Sequence, residues 1–114
     1  MLLFMIDTAG RTRIGQFVRA AMGWQGLSGS RIEAGGRVSR ATVDRVKRGD
    51  PKVSETMLRA LGDTLGLPRD YLLYVGSGDV RKIQESGADP DLIRVTIDMI
   101  RAAPSDIRGL GGRE

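Results

Sequence analysis

The chain has no cysteine, no histidine and few aromatic residues among its 114 positions. These absences exclude a disulfide framework, a Cys/His zinc site and a histidine that acts as a catalytic acid or base. One Trp, two Tyr and two Phe are too few for the aromatic platform on which single-stranded nucleic acid stacks. The lack of cysteine is compatible with the reducing cytoplasm, where we expect the protein.

Long hydrophobic runs are also absent, and the longest lies at the very start of the chain. Met1–Ile6 holds six apolar residues, with no basic residue before them and Asp7 directly after them. This run is too short for a signal peptide or a membrane span, so we expect no membrane partner. Residues 1–11 are interpreted as an N-terminal extension, either disordered or packed on the core or on a second subunit.

Basic residues are concentrated in the front half of the chain. Residues 1–60 carry 11 Lys/Arg and 5 Asp/Glu, a formal charge of +6, whereas residues 61–114 carry 7 and 9, a charge of −2. Between Arg37 and Lys52 six side chains are basic and two are acidic. This asymmetry favours contact with a polyanion such as nucleic acid. A merely solvated basic face is the alternative.

Apolar residues at helical spacing predict an all-α chain, since no segment alternates as a strand does. Serine caps, glycine stops and proline starts mark the helix boundaries, and Ser30 with Glu33 has the spacing of a capping box. The predicted helices are Arg13–Trp24, Ser28 or Ser30 to Gly35, Ser39–Gly49, Ser54–Gly66, Pro68–Gly76, Asp79–Ser86 and Pro90–Ala103.

The third predicted helix, Ser39–Gly49, has two faces of different chemistry. Val43 and Val46 share one face at helical spacing. The opposite face carries Arg40, Asp44, Arg45 and Arg48. An apolar inner stripe with a cationic outer face suits a helix that enters the major groove of duplex DNA.

Five short helices, of which the second and third form a helix, a turn and a helix, resemble the lambda-repressor-like (Cro-like, XRE family) DNA-binding domain. The resemblance covers about Thr12 to Val75. It is carried by Ile32 in the second helix, by Val38-Ser39 after the turn, by Val43 and Val46, by the ending Arg48-Gly49 and by the run Leu58–Leu72. The chain departs from the family at Glu33, where alanine is usual, and at Gly36 and Arg37 in the turn. Glu33 is therefore expected to point outward, or the second helix to be rotated or shortened.

The resemblance implies a sequence-specific regulator that binds double-stranded operator DNA as a repressor, with its third helix in the major groove. It implies no enzyme, cofactor, metal or small-molecule ligand. The implied base-reading positions are Arg40, Ala41, Asp44 and Arg45, with the Thr42 methyl beside them. The implied phosphate contacts are Ser28, Ser30, Arg31, Arg37, Ser39, Arg48 and Lys52.

Two assignments in this region stay open. Asp44 either accepts a hydrogen bond from a cytosine amine or pairs with Arg40 or Arg48 at four-residue spacing. Arg11 and Arg13 either form a DNA-contacting arm or are solvated charges.

Two predicted segments follow the domain predicted at residues 12–76. Residues 77–103 are interpreted as a helical extension and residues 104–114 as a flexible tail. The helix Pro90–Ala103 is apolar over more than one narrow stripe. It is therefore expected either to complete its own core or to form a homodimer. The candidate dimer residues are Leu92, Ile93, Ile97 and Ile100.

Two other classes of function are alternatives to the repressor. An antitoxin of a toxin–antitoxin pair also carries such a domain and would use the apolar last helix to clamp its toxin. Size and Arg/Gly composition are similar to small actinobacteriophage immunity repressors. An enzyme is disfavoured because two pairs of carboxylates, Asp89 with Asp91 and Asp63 with Asp70, lie at predicted helix caps or ends, where capping explains them.

Overall fold

The computed structural model describes residues 6–102 and contains helices but no strand in that range, which confirms the all-α prediction. The seven helices of this range are α1 (Thr8–Gln25), α2 (Gly29–Ala34), α3 (Arg40–Lys47), α4 (Glu55–Thr64), α5 (Tyr71–Ser77), α6 (Val80–Gln84) and α7 (Pro90–Ala102). Residues 1–5 of the predicted extension, Ala103 and the predicted tail 104–114 lie outside the described residues. No helix in the described range is both long enough and apolar enough to cross a lipid bilayer.

Helix α1 begins earlier than its apolar periodicity indicated. The side chain of Asp7 accepts a hydrogen bond from the amide of Gly10 at 2.8 Å and thereby caps the helix at Thr8. Residues 8–11 therefore belong to α1, and the predicted extension over residues 1–11 is wrong for this part. Gly26 ends α1 in the left-handed conformation, as predicted.

The first turn of α2 is capped by Ser28 rather than Ser30. The Ser28 Oγ accepts from the amide of Arg31 at 3.1 Å. The predicted capping box between Ser30 and Glu33 does not form, because the Glu33 carboxylate accepts from the amide of Arg40 instead. Helix α2 then ends at Ala34 before Gly35 and Gly36, as predicted.

The hydrophobic core lies where α1 crosses α5 and α3. Phe17, Val18 and Leu73 are fully buried at its centre. Gly10 of α1 lies directly against the backbone carbonyl of Gly76 in α5, so a side chain on Gly10 would collide with that carbonyl. The missing Cβ atoms of these two glycines let the helix backbones approach closely.

Helix α5 differs at both ends from the Pro68–Gly76 prediction. It begins at Tyr71, after Asp70 adopts a left-handed φ of 64°. It ends at Ser77, with Gly78 as the left-handed cap. Gly76 is therefore a buried residue inside α5 and not its end, because its role is to make room for Ile14 and α1.

Helices α6 and α7 fold back on the first five helices. Helix α7 packs on α6 and α1, with Thr96 and Ile97 buried at its inner face. Of the predicted dimer residues, Ile97 is 8% exposed and belongs to the core of its own chain. Leu92, Ile93 and Ile100 are half-buried and also contact this core.

Candidate nucleic-acid interface

Helix α3 is held against the body of the protein by its apolar face. Val43 is 0% exposed and Val46 is 3% exposed. On the α1 side, Gly15 has no Cβ, and a Cβ placed there would lie only 2.7 Å from the Lys47 carbonyl oxygen and 2.8 Å from that of Val46. The absence of a side chain at Gly15 therefore lets the end of α3 pack directly against the backbone of α1.

Both ends of α3 are closed by residues that the sequence identified. The Ser39 Oγ accepts from the amide of Thr42 at 3.1 Å. At the other end Gly49 has a φ of 73°, and its amide donates to the Val46 carbonyl at 3.0 Å. The Asp50 amide donates to the Arg45 carbonyl at 3.0 Å, which completes a Schellman motif. The predicted helix from the Ser39 cap to Gly49 is confirmed.

The outer face of α3 is exposed along its length. Ala41, Arg45 and Arg48 are exposed, and Asp44 is half-buried. Within residues 6–102 neither Arg40 nor Arg48 forms an ion pair with Asp44. The alternative of a helix-surface pair for Asp44 is therefore not observed, and its carboxylate lies beside the arginines without binding them.

Arg40 is directed toward α2 and not straight out from α3. Its Nη1 donates to the Ser30 Oγ at 3.3 Å, and its side chain lies along Gly29. Its backbone amide donates to the Glu33 carboxylate at 3.0 Å. Glu33 thus points outward, as expected from its departure from the family pattern, and satisfies an amide at the start of α3 that has no partner within the helix.

The other predicted phosphate contacts have different surroundings. Arg37 pairs with Asp63 at 3.2 Å, with side-chain exposures of 59% and 48%. Such an exposed pair is worth at most about 1 kcal/mol, so it does not prevent exchange for another anion. Arg31, Arg48 and Lys52 are exposed, and none of them has a carboxylate partner among the described residues. We call Arg31, Arg40, Arg45, Arg48 and Lys52 the basic face.

Arg11 and Arg13 are half-buried and have structural partners, so the interpretation as solvated charges is wrong, and their contact with DNA stays a prediction. The Arg11 Nη1 donates to the Val53 carbonyl at 2.7 Å. Arg13 donates from Nε to the Val75 carbonyl at 2.8 Å and from Nη2 to the Gly76 carbonyl at 2.9 Å. Arg11 binds a carbonyl of the loop before α4. Arg13 binds carbonyls near the C-terminal end of α5, where a cation also meets the negative end of the helix dipole.

Arg19 is a cation near α3 that the sequence analysis did not select. It is exposed, and its Nε donates to the Lys47 carbonyl at 3.4 Å, at the end of α3. Its position on the outer side of α1 is visible in the sequence, but its closeness to α3 depends on how the two helices cross.

The carboxylates considered for catalysis form hydrogen bonds or ion pairs within the chain. Asp89 accepts from the Asp91 amide at 2.8 Å at the start of α7, as capping predicts. The other pair does not cap: Asp63 binds Arg37, and the Asp70 carboxylate binds the Arg59 Nε at 2.6 Å. The hydrogen bond to Asp70 raises the pKa of Arg59 above its ordinary value. No cluster of three metal-ligating side chains occurs among residues 6–102.

Models of known families, curated proteins and solved structures were compared with this chain, and none of them matches it.

Proposed function

We propose that the chain is a sequence-specific regulator that binds double-stranded DNA, with a lambda-repressor-like helix-turn-helix domain in its first five helices. Its action on transcription is repression of an operator, and its place of action is the cytoplasm. The proposal assigns the protein no catalytic step, metal or cofactor.

The observation that carries the proposal is the two-sided character of α3. Its two valines are buried, while Arg45 and Arg48 project away from the protein. An α-helix with its side chains is about 10–12 Å in diameter, which fits a major groove about 12 Å wide. The buried inner face holds α3 in a fixed orientation. A side chain on the outer face can then discriminate between bases, because its donor atoms have a fixed position relative to the groove.

Arg45 is the best candidate for base reading. It is exposed in the last turn of α3, and no carboxylate of the described residues pairs with it. An arginine in this position donates two hydrogen bonds to guanine O6 and N7, which is worth about 1–3 kcal/mol of discrimination. We assign Ala41 and the Thr42 methyl group to contact with a thymine methyl, and Asp44 to accept from a cytosine amine.

The remaining members of the basic face serve the phosphates. Arg40 leans across the start of α2 toward Ser30, so we assign its guanidinium to a phosphate and not to a base. Arg31, Arg48 and Lys52 surround α3 and contribute charge without base reading. Arg37 joins them when a phosphate replaces Asp63. We also assign to phosphate contact the Ser28 and Ser39 hydroxyls, which cap α2 and α3.

Selection from a pool of random duplexes tests the proposal. The full chain is bound to the pool at moderate salt, and bound duplexes are amplified and sequenced over several rounds. A recurring motif of about half a helical turn or more is expected, because α3 reads a few adjacent base pairs. A double variant, Arg45→Ala with Arg48→Ala, is the control and should enrich no motif. Equal recovery of all sequences by the unmodified chain would contradict sequence-specific binding.

An antitoxin is the second candidate function. The observation that favours it is the exposed Trp24, which lies beside apolar residues of α7 and offers a surface for a protein partner. The discriminating observation is a small toxin gene encoded next to this one, whose product co-purifies with the chain.

A further inference from the structure

Helix α7 carries apolar side chains on more than its inner face. Thr96 and Ile97 are buried against the core of the chain. Leu92, Val95 and Met99 form a second stripe at spacings of three and four residues along one edge of the helix, and all three are half-buried. Val95 differs from its neighbours because, within the described range, it is not packed against the buried core.

Trp24 stands next to this edge. Its ring meets Phe17 edge-on, with ring centroids 6.2 Å apart and planes at 85°, yet Trp24 remains 55% exposed. Between Trp24 and α7 lies an open concavity of about 230 Å³, lined by Trp24, Asp89, Asp91, Leu92 and Val95. This space accommodates a large apolar side chain from outside the chain.

The charges along α7 have a self-complementary order. Asp91, Arg94, Asp98 and Arg101 are all exposed and recur at spacings of three, four and three residues, so they lie on one side of the helix. Read in the reverse direction, the acidic and basic positions exchange. Two such helices in antiparallel orientation therefore place Asp91 opposite Arg101 and Arg94 opposite Asp98 at the same time, whereas parallel helices in register oppose like charges.

We propose that the edge of α7, with Trp24, binds a second copy of this chain through an antiparallel pairing of the two α7 helices. The twofold axis passes near Thr96, the point midway between both charge pairs. In this register Met99 of the second copy lies near Val95 and fills the concavity beside Trp24. The proposal concerns association in the absence of DNA and does not require the proposed function.

A second copy fits this surface better than an unlike protein because a twofold interface must complement itself. The present ion pair between Asp91 and Arg94 spans 3.3 Å with side-chain exposures of 86% and 66%. Such an exposed pair is weak, so both groups are free to exchange partners across the interface.

Charge reversal tests the pairing directly. One variant, Arg94→Asp with Arg101→Asp, makes the four positions acidic, and the other, Asp91→Arg with Asp98→Arg, makes them basic. Sedimentation over a range of concentrations should show a dimer for the unmodified chain. Each variant alone should dimerise about tenfold more weakly or worse, since like charges then face each other. An equimolar mixture of the two should form a heterodimer.

Two further measurements separate association from folding. Circular dichroism checks that every variant keeps its helical content. Arg81→Asp with Lys82→Asp, on the exposed side of α6, is a matched control that should dimerise like the unmodified chain. Because the chain has a single tryptophan, its fluorescence reports on Trp24 alone and should shift to shorter wavelength as the dimer forms.

Two results would overturn the proposed dimer. An unmodified chain that stays monomeric at high concentration excludes the dimer and leaves the edge to an unlike partner. Dimers of unchanged affinity in both folded variants, or a mixture that does not recover association, exclude this pairing of α7.

Discussion

The hydroxyl groups of Tyr71 and Thr96 lie 2.7 Å apart in the core and join α5 to α7. The Thr96 hydroxyl has one hydrogen, and it donates that hydrogen to the Leu92 carbonyl at 2.7 Å. Tyr71 must therefore be the donor of the bond between them. Tyr71 is 1% exposed and Thr96 is 0% exposed, so water cannot replace either group. The hydrogen bond therefore anchors α7 to α5 inside the hydrophobic core.

Removal of the two hydroxyls should have unequal effects on stability. Thr96→Val leaves the buried Tyr71 hydroxyl without an acceptor, which should cost about 1–3 kcal/mol in the free energy of unfolding. Tyr71→Phe leaves Thr96 bonded to Leu92 and should cost only about 0.5–1.5 kcal/mol. The double variant should be more stable than Thr96→Val alone. Urea unfolding of the four proteins measures the coupling. Additive effects would contradict the hydrogen bond, and a larger loss for Tyr71→Phe than for Thr96→Val would contradict its assigned direction.

The same tyrosine should make the protein sensitive to alkaline pH. Burial raises the pKa of Tyr71 above its ordinary value. Below about pH 10 the hydroxyl is neutral in both the folded and the unfolded chain. As the pH rises through the ordinary value and then the raised pKa, the unfolded chain ionises first, so stability is lost. Tyr71→Phe should lose less stability between pH 9 and pH 11, measured by urea unfolding at each pH; parallel losses would contradict the prediction.

The glycines of α1 should respond in opposite ways to one substitution. Gly10→Ala places a methyl group against the Gly76 carbonyl, and Gly15→Ala places one against the end of α3. Each should destabilise the fold by about 1–3 kcal/mol through overpacking. Gly23→Ala is the control in the same helix, because, apart from its chain neighbours and the backbone of its own helix, no described atom lies within 4 Å of its added Cβ. It should be stabilising by up to about 1 kcal/mol, the helix-propensity gain. Thermal melts distinguish these outcomes, and three similar melting temperatures would refute the close helix crossings.

These glycines also show where sequence reasoning reached its limit. Ser39, Ser54, Gly49 and Gly66 were assigned correctly because a cap or a left-handed stop depends on its own few neighbours. Gly76 has the same local signal as a helix stop, but it lies inside α5 because α1 passes over it. Its meaning depends on a residue 66 positions away, Gly10, which no local pattern contains.

In the candidate interface, helical spacing predicted which side chains of α3 point inward and outward, but not which contacts form between helices. The inward faces of Val43 and Val46 and the outward faces of Arg45 and Arg48 follow from helical spacing, and the structure has them so. The direction of Arg40 toward Ser30 does not follow from spacing, because it depends on how α2 crosses α3. Glu33 was recognised as unusual, but its bond to the Arg40 amide required the same crossing.

Glu33 should weaken DNA binding through its charge. Its carboxylate lies at the start of α3, close to where the proposal places a phosphate. Glu33→Gln keeps an oxygen acceptor for the Arg40 amide and removes the charge. Affinity for random duplex should rise on the order of threefold, the effect of one screened charge several ångströms from a phosphate.

The control for Glu33→Gln is Glu85→Gln, an exposed carboxylate of α6, which should leave affinity unchanged. Glu33→Ala also removes the acceptor and should cost about 0.5–1.5 kcal/mol of stability. Fluorescence anisotropy with a labelled duplex measures the affinities. A fall in affinity for Glu33→Gln would place the phosphates elsewhere.

Arg45→Ala and Lys52→Ala compare two exposed cations, one proposed to read a base and one to bind a phosphate. Their dissociation constants for the selected operator and for a random duplex, measured over a range of salt concentrations, test the central claim most directly. Arg45→Ala should cost about 1–3 kcal/mol on the operator and much less on the random duplex, so that the preference falls. Lys52→Ala should weaken both equally and reduce the salt dependence by about one counterion. Equal losses on both duplexes for Arg45→Ala would contradict base recognition by α3.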